Sequence, residues 1–441
     1  MSSTSDPQPE GSNPANGDAL TPADAKLDAP RHRPSIIFIF ITLLLDVMGI
    51  GLIIPVAPRL VEKLYDGPIS NAGIYVGALG ATYALFQFMF APILGALSDR
   101  FGRRPVILIS LFGSGIDYLA AALAPNLWFL FVTRALNGIS GANITACSSY
   151  IADITPPEKR AAGFGILGAA FGLGFVIGPV TGGVLGEYDI YYPFYAAAAL
   201  SLANWVYGYF VLPESLPKER RSKFDLRKAH PIEAIRSLSA YPGVLGVAAV
   251  LFLANVAQFA LHSTWVLYTT LKFNWSTKQV GFSLFAVGLS SAIVQGLLAR
   301  KLVPVLGEKV CFLFGIGWGA LAFAAYGFAT EGWMIYAIVA VASIGGIAGP
   351  AGQAIVSQSV PPTHQGVVQG ALTSLQSIAN IIGPLLGGAL FSWFASDAAK
   401  AGNYYVPGAS LLAGAVIMVG AFLVAAANFR RPWGGAATTQ A

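Results

Sequence analysis

From residue 35 onward the chain alternates between long apolar runs and short polar or Pro/Gly-rich breaks. Twelve runs are predicted to be membrane-crossing helices, over 35–60, 71–96, 104–124, 127–152, 161–186, 190–212, 243–270, 279–300, 309–329, 332–356, 366–394 and 405–428. A hydrocarbon core requires about 20 successive apolar residues in helical form, which these runs supply. The alternating ten-residue segments of a transmembrane barrel are missing. The predicted fold class is an all-α membrane protein.

The polar segments divide the chain. Residues 1–34 are rich in Pro, Ser and Asp and are expected to be a disordered cytoplasmic tail. They lack the apolar core of a cleavable signal. Residues 213–242 form the one long charged connection, an expected cytoplasmic linker between six-helix bundles at 35–212 and 243–428, with a second tail at 429–441. Placing both termini in the cytoplasm puts Arg100, Arg103, Arg104, Arg300, Lys301, Lys309 and the basic linker on that side. Arg59, Lys63, Lys272, Lys278 and Lys400 then stay outside, as the bias of basic residues towards cytoplasmic loops requires.

The two bundles read as copies. Pro156-Pro157 returns as Pro361-Pro362, and Gly102-Arg103-Arg104 faces Gly307-Glu308-Lys309. Gly178-Pro179-Val180-Thr181-Gly182-Gly183 returns as Gly383-Pro384-Leu385-Leu386-Gly387-Gly388. All three pairs share one offset of 205 residues. Parallel six-helix repeats about a midplane site are an architecture of secondary transporters.

Composition agrees. The chain has 441 residues, of which 55% are hydrophobic and 11% charged, against about 25% charged in soluble domains. Mean hydropathy is +0.64. Fifty glycines suit closely packed membrane helices. Cys147 and Cys311 lie in separate apolar runs and imply neither a disulfide nor a metal site. The net charge of +5 follows loop topology, so no nucleic-acid partner is expected. Gly163-Phe164-Gly165-Ile166-Leu167-Gly168 fits GxGxxG, but it opens a membrane helix with no strand before it. Asn143-Ile144-Thr145 fits a glycosylation acceptor but lies inside a span. A phosphate-cradling Walker loop is absent, so no nucleotide cofactor is expected.

Three charges stand out against this apolar background. Asp46 and Asp117 are lone carboxylates in the first and third runs, and Arg134 is a basic residue inside the fourth. Each carboxylate lies about 12 residues from the start of its helix, or roughly 15–20 Å deep at 1.5 Å per residue. Ionisable groups at that depth are costly and mark ion pathways, proton relays or substrate contacts. A structural ion pair is the plain alternative for Arg134, and a polar packing contact for each aspartate. A cation beside a carboxylate favours its charged form, so approach or retreat of Arg134 offers a means of moving a proton.

The loop Gly95-Ala96-Leu97-Ser98-Asp99-Arg100-Phe101-Gly102-Arg103-Arg104-Pro105 resembles the signature loop of the major facilitator superfamily. Gly174-Phe175-Val176-Ile177-Gly178-Pro179 with Gly182-Gly183 resembles the helix-five motif of that family's antiporters. The stretches LLLDVMGIGLIIPVAPRLVE and GSGIDYLAAALAP, with Arg134 and Gly138, are similar to the tetracycline-efflux branch of the drug/proton antiporters. The resemblance runs from about residue 35 to 395. It implies twelve helices in two six-helix repeats, and a cytoplasmic latch of Asp99, Arg103 and Asp153 that holds the halves together in one conformation. It also implies that Asp46, Asp117 and Arg134 couple protons and substrate. The chain departs from the branch in its second half. Gly319 stands where those pumps carry a helix-nine acid, and helix eight offers Gln295 and no histidine. Polar candidates for the pocket are Gln87, Asn137, Gln258, His262, Gln295 and Gln376, with Asn255, Gln353, Gln369 and Asn380 nearby.

The expected function is a proton-coupled antiporter that exports amphipathic, drug-like compounds, tetracycline among the candidates, by alternating access. The proton is its coupling ion, and no metal or other cofactor is expected. The expected partners are a small-molecule substrate and membrane lipid, the expected state a monomer in a bacterial inner membrane, and no enzymatic activity is implied. A proton-coupled importer of a sugar or organic acid shares the fold; the helix-five glycines favour export. A transporter-derived receptor that moves nothing is a further rival, disfavoured by the three membrane charges.

Overall fold

The computed structural model describes residues 36–156, 160–221, 235–236, 238–361 and 364–430. The expected tails, the centre of the linker, and residues 157–159 and 362–363 of the repeated loop lie outside the described residues. Among those described there is no strand. The long helices are α1 Ile36–Ile53, α2 Ile69–Phe101, α3 Arg103–Ala122, α4 Leu127–Gly141 continuing after a break as Ile144–Ile154, α5 Arg160–Tyr188 and α6 Tyr192–Val211. The second set is α7 Pro242–Phe273, α8 Thr277–Ile293 continuing through a π-turn to Leu306, α9 Glu308–Phe328, α10 Gly332–Ala342 continuing through a 3-10 turn to Gln358, α11 Gln365–Phe394 and α12 Ala409–Arg430.

Ten of these helices are long and apolar enough to cross a membrane. The other two predicted spans are helical as well. Asn143 marks the break in α4, and Asn204 and several tyrosines dilute the apolar character of α6. In the second half the span predicted to end at 300 runs on to Leu306, and in the first half two boundaries differ from the sequence reading by five residues or more. The first span stops at Ile53, because Pro55 and Pro58 end it and start a separate amphipathic helix, Ala57–Tyr65, with Pro at its first turn. The second span runs on to Phe101, so Asp99 belongs to the helix and the chain turns at Gly102. That residue has φ +106° and its repeat partner Gly307 has φ +82°, a region that favours glycine. The repeat thus builds the same turn into each half.

Glycine decides how closely the helices meet. On α5, a Cβ added at Gly174 would lie 2.7 Å from the Val47 side chain, and one at Gly178 would lie 2.8 Å from the Gly51 Cα. Gly182 faces the Leu52 backbone, also on α1. One residue further on, Gly183 faces α8, where a Cβ would lie 2.6 Å from the Thr277 carbonyl oxygen and 3.0 Å from the Gly281 Cα. The copied motif on α11 repeats this. Gly383 and Gly387 seat against Val256 and Ala260 of α7, and Gly388 crosses to Gly73 and Gly77 of α2. Each copy therefore packs its own half together and also joins the other half, so the two halves meet along α5–α8 and α2–α11.

Those two seams close at one end only. Near the α7–α8 turn, Glu187 Oε2 accepts from Thr277 Oγ1 at 3.1 Å and from the Lys278 backbone N–H at 3.3 Å, while Arg59 Nη2 donates to the Trp275 carbonyl at 2.8 Å. On the opposite seam, the Ile74 backbone N–H donates to Ser392 Oγ at 2.9 Å. Towards the end that holds the Gly95–Pro105 loop, Gly95, Gly165, Gly168, Gly172, Gly296, Gly366 and Gly370 have no atom within 4 Å of an added Cβ. The four seam helices are splayed there.

Gly178→Ala should therefore cost about 1–3 kcal/mol through overpacking. Gly168→Ala should be neutral, or stabilising by up to about 1 kcal/mol through helix propensity. Thermal melting of the two purified variants in detergent checks this; equal melting temperatures would contradict the packing described.

Candidate functional site

The first half brings its intramembrane charges to one place. Asn126 caps α4, accepting from the Phe129 backbone N–H at 2.9 Å, and the helix then runs past α2 on Gly138 and Gly141. Added Cβ atoms there would lie 2.9 Å from the Phe86 side chain and 2.6 Å from the Tyr83 hydroxyl. This close approach ends at Ala142–Asn143, where the helix breaks. The interruption aims the Asn143 amide at α1, and its Nδ2 donates to Asp46 Oδ2 at 3.3 Å. Asn143 is 1% exposed and Asp46 6%, and the amide is the one hydrogen-bond donor to Asp46 among the described residues.

Asp117 on α3 faces Arg134 on α4, with Oδ2 to Nη2 at 3.7 Å. That separation allows charge attraction but exceeds a hydrogen bond. Both Asp117 oxygens and Arg134 Nη2 are buried without a hydrogen-bond partner among the described residues. The Asn137 amide lies beside Asp117 without completing such a bond. The pair is neutral overall but loose, with bonding capacity on both sides unused.

A small cavity opens beside Asp46. Asp46, Tyr83, Ser114, Tyr118 and Asn137 contribute its polar lining, and Leu43, Ile50 and Phe171 its apolar lining. Tyr83 and Tyr118 each lie within electrostatic reach of Asp46, Asp117 and Arg134. The three charges singled out from the sequence therefore gather around the same two tyrosines, with Asp46 itself in the cavity lining. Below it, Asn204 of α6 donates to the Thr42 carbonyl at 2.8 Å and holds the α1 turn that precedes Asp46.

Other predicted residues are placed differently. Gln87 bonds the Tyr83 hydroxyl at 3.1 Å and the Gly141 carbonyl at 3.2 Å, so it fastens α2 to α4. In the second half, Gln258 and His262 bond each other along α7, and Gln369 donates to Gln353 between α11 and α10 at 3.1 Å. Gln295 sits in the π-turn of α8, exposed like Gln376. At Gly319, an added Cβ would meet only the Met418 methyl within 4 Å, so a flexible apolar side chain occupies the space beside it.

Arg103 lies 8% exposed by side chain between Asp99, which it bonds through Nη1, and Asp153, bonded through Nε at 3.1 Å. Ser98 Oγ is 2.7 Å from the same Nη1. Glu214 Oε1 accepts from the Arg103 backbone N–H at 2.8 Å, and Ser215 Oγ donates to Asp153 at 3.1 Å. All of these groups belong to the first half and the start of the linker. In this conformation the expected latch is a cluster within one half, and it does not bridge the two.

Sequence reasoning missed Asn143, Tyr83, Tyr118, Ser114 and Glu214. Asn143 carried a signal, an amide inside an apolar run, but its partner was not visible. Tyrosines and serines are too common in membrane helices to stand out.

The sequence model described as the Major Facilitator Superfamily matches residues 39–306 and again 303–437. The class C tetracycline resistance protein of Escherichia coli is 39% identical over 381 residues, covering 86% of this chain and 95% of that protein. The class G tetracycline resistance protein of Vibrio anguillarum is 38% identical, again covering 86% and 95%. Among solved structures, the human organic anion transporter MFSD10 (TETRAN) superposes with a TM-score of 0.67 at 24% identity, over 90% of this chain and all of that one. The chain belongs to the major facilitator superfamily and is an integral membrane transporter.

Arg134→Met would leave the Asp117 carboxylate buried and unpaired, a change that costs about 3–5 kcal/mol. The double variant Asp117→Asn/Arg134→Met should recover most of that loss. A double-mutant cycle of unfolding free energies measures the coupling, and additive effects would show that the 3.7 Å pair carries no interaction.

Proposed function

We propose that this protein is a proton-driven drug exporter, in which Asp46, Asp117 and Arg134 exchange protons for an amphipathic substrate. One observation carries the reading: two buried carboxylates and one arginine gather around Tyr83 and Tyr118 inside a membrane bundle, and the Asp117–Arg134 pair stands at 3.7 Å, beyond hydrogen-bond distance. A purely structural ion pair is expected to complete its hydrogen bonds.

The roles divide by environment. Arg134 neutralises Asp117, so this pair can separate and re-form as a substrate group enters between the two side chains. Asp46 has an amide partner and no cation, so taking up a proton removes its charge altogether. In the proposed cycle the splayed end faces the cytoplasm, the orientation that the basic residues favour. Substrate enters there and displaces a proton, the halves rock about the glycine seams, and the external protons reload the carboxylates. The cluster of Asp99, Arg103 and Asp153 engages the second half when the cytoplasmic side closes. The charged site is built within one chain, which supports a working monomer, and a bacterial inner membrane suits the relatives.

Tetracycline is the first cargo to test, since relatives at 38–39% identity are named for resistance to it. Gly319 in place of an acid argues for a different substrate profile from theirs, extending to cationic and zwitterionic amphiphiles.

The test uses everted membrane vesicles acidified by respiration. Addition of tetracycline, or of a member of a drug panel, should partly collapse the interior acidity in wild-type vesicles. Asp117→Asn should reduce that response at least tenfold with expression unchanged. Full drug-driven proton release by the variant would remove the triad from the mechanism, and silence of the wild type to every compound would shift the reading to a metabolite porter.

A further inference from the structure

The charged chamber belongs to the first half, yet a central cavity has two walls. On α7 the residues Asn255, Gln258 and His262 recur at helical spacing and form one polar stripe. Gln258 and His262 are both exposed on the helix surface. The helix packs against α2, α11 and α12, and Phe259, between them in sequence, meets Gly383 of α11. Polar side chains at membrane depth turn away from lipid and line water-filled cavities.

Gln258 Nε2 lies 2.8 Å from His262 Nε2. With the amide in this orientation Gln258 donates, the ring nitrogen accepts, and the proton of a neutral imidazole is on Nδ1. Phe259 meets the ring edge-on at 6.2 Å between centroids and limits its rotation. The second N–H of the Gln258 amide and the Nδ1–H of His262 are left as donors on the same stripe. No acidic side chain lies on α11 (365–394), and α12 (409–430) carries none either. These helices pack along α7, and neither offers the donors a carboxylate.

We propose that His262, oriented by Gln258 and Phe259, is a specificity-determining residue of the second-half wall, where it donates a hydrogen bond to an acceptor oxygen of the exported molecule, such as an enol, phenol or carboxylate oxygen. The inference rests on the export reading above and deepens it. The first wall then reads the charge of the substrate and the second wall reads its oxygen-bearing edge. The proposal also gives the second half a recognition element that requires no acid at position 319.

Two probes separate the walls: tetracycline, which carries a keto-enol edge, and ethidium, a planar cation with no acceptor oxygen. Transport of each into everted vesicles is compared for wild type, His262→Ala, His262→Gln and Gln258→Leu. Loss of one buried hydrogen bond corresponds to roughly a tenfold change. His262→Ala should raise the KM for tetracycline about tenfold with maximal rate retained, and should leave ethidium unchanged. His262→Gln keeps a donor and should restore the tetracycline KM to within about threefold of wild type. Gln258→Leu should fall between the two, because the ring loses its orienting partner.

Wild-type transport of tetracycline with an unchanged KM in His262→Ala would overturn this inference and leave the export reading intact. Equal losses for tetracycline and ethidium would also overturn it, since they indicate a packing role. If wild type moves neither probe, the export reading falls and the inference with it. Chemical modification of His262 by diethylpyrocarbonate, read by mass spectrometry, adds a measurement independent of the variants. Tetracycline should protect the ring and ethidium should not, and a ring unreactive from the cytoplasmic side would refute its place on the cavity wall.

Discussion

Taking charge out of water is the constraint on which the rest of the structure depends. An isolated carboxylate at membrane depth is costly enough to reshape the helices around it. Asp117 is accommodated by Arg134 from the neighbouring helix, and Asp46 by the Asn143 amide. That amide sits where α4 passes through an irregular turn at Ala142–Asn143. Gly138 and Gly141 bring α4 close to Tyr83 immediately before the break. The irregular turn and the glycines upstream of it thus both lie beside the charge held inside the bundle.

The second half repeats the scaffold without the charge. Its α10 leaves regular helix geometry at Ser343–Ile347, and residue 343 is the repeat partner of Gly138. The adjoining π-turn at Val294–Leu298 packs against it. Irregular turns of this kind often mark functional positions. Backbone irregularity thus recurs in the second half without a carboxylate, and Gln295 lies in the adjoining turn. Glycine packing was retained in both halves, since Gly183 and Gly388 each form a cross-half contact that any larger side chain would obstruct.

Much of the fold was legible because hydrophobic length and small-residue spacing are local properties. The repeat offset tied Gly102 to Gly307, and both prove to be positive-φ turns. Asp46, Asp117 and Arg134 were visible as charges in apolar runs, and the structure gathers them around Tyr83 and Tyr118. What was not legible depends on the third dimension. The short helix Ala57–Tyr65 was merged with the first span because its prolines sit in an apolar context. Gln87 looked like a pocket residue and instead bonds two helices together, as nothing in one-dimensional order reveals which face of α2 it occupies. The Asp99, Arg103 and Asp153 cluster was recognisable by motif, but its reach depends on which end of the molecule is splayed, a property of conformation that no motif encodes.

The electrical balance of the chamber has a consequence for what can drive the cycle. Arg134 cancels Asp117, so Asp46 is the one intramembrane carboxylate without a cationic partner among the described residues. If Asp46 is the exchanging group, the core is neutral when it returns carrying a proton and neutral again when it leaves carrying a monocation. Membrane voltage does work only on net charge that moves through it, at about 2.3 kcal/mol per elementary charge per 100 mV. A carrier balanced in this way gains nothing from the voltage in exporting a monocation, and it would run on the pH difference alone. A zwitterionic cargo leaves the outgoing core with one negative charge, so for that class an inside-negative potential assists export. The same protein would then respond to a cell's two energy sources differently, according to the charge of what it carries.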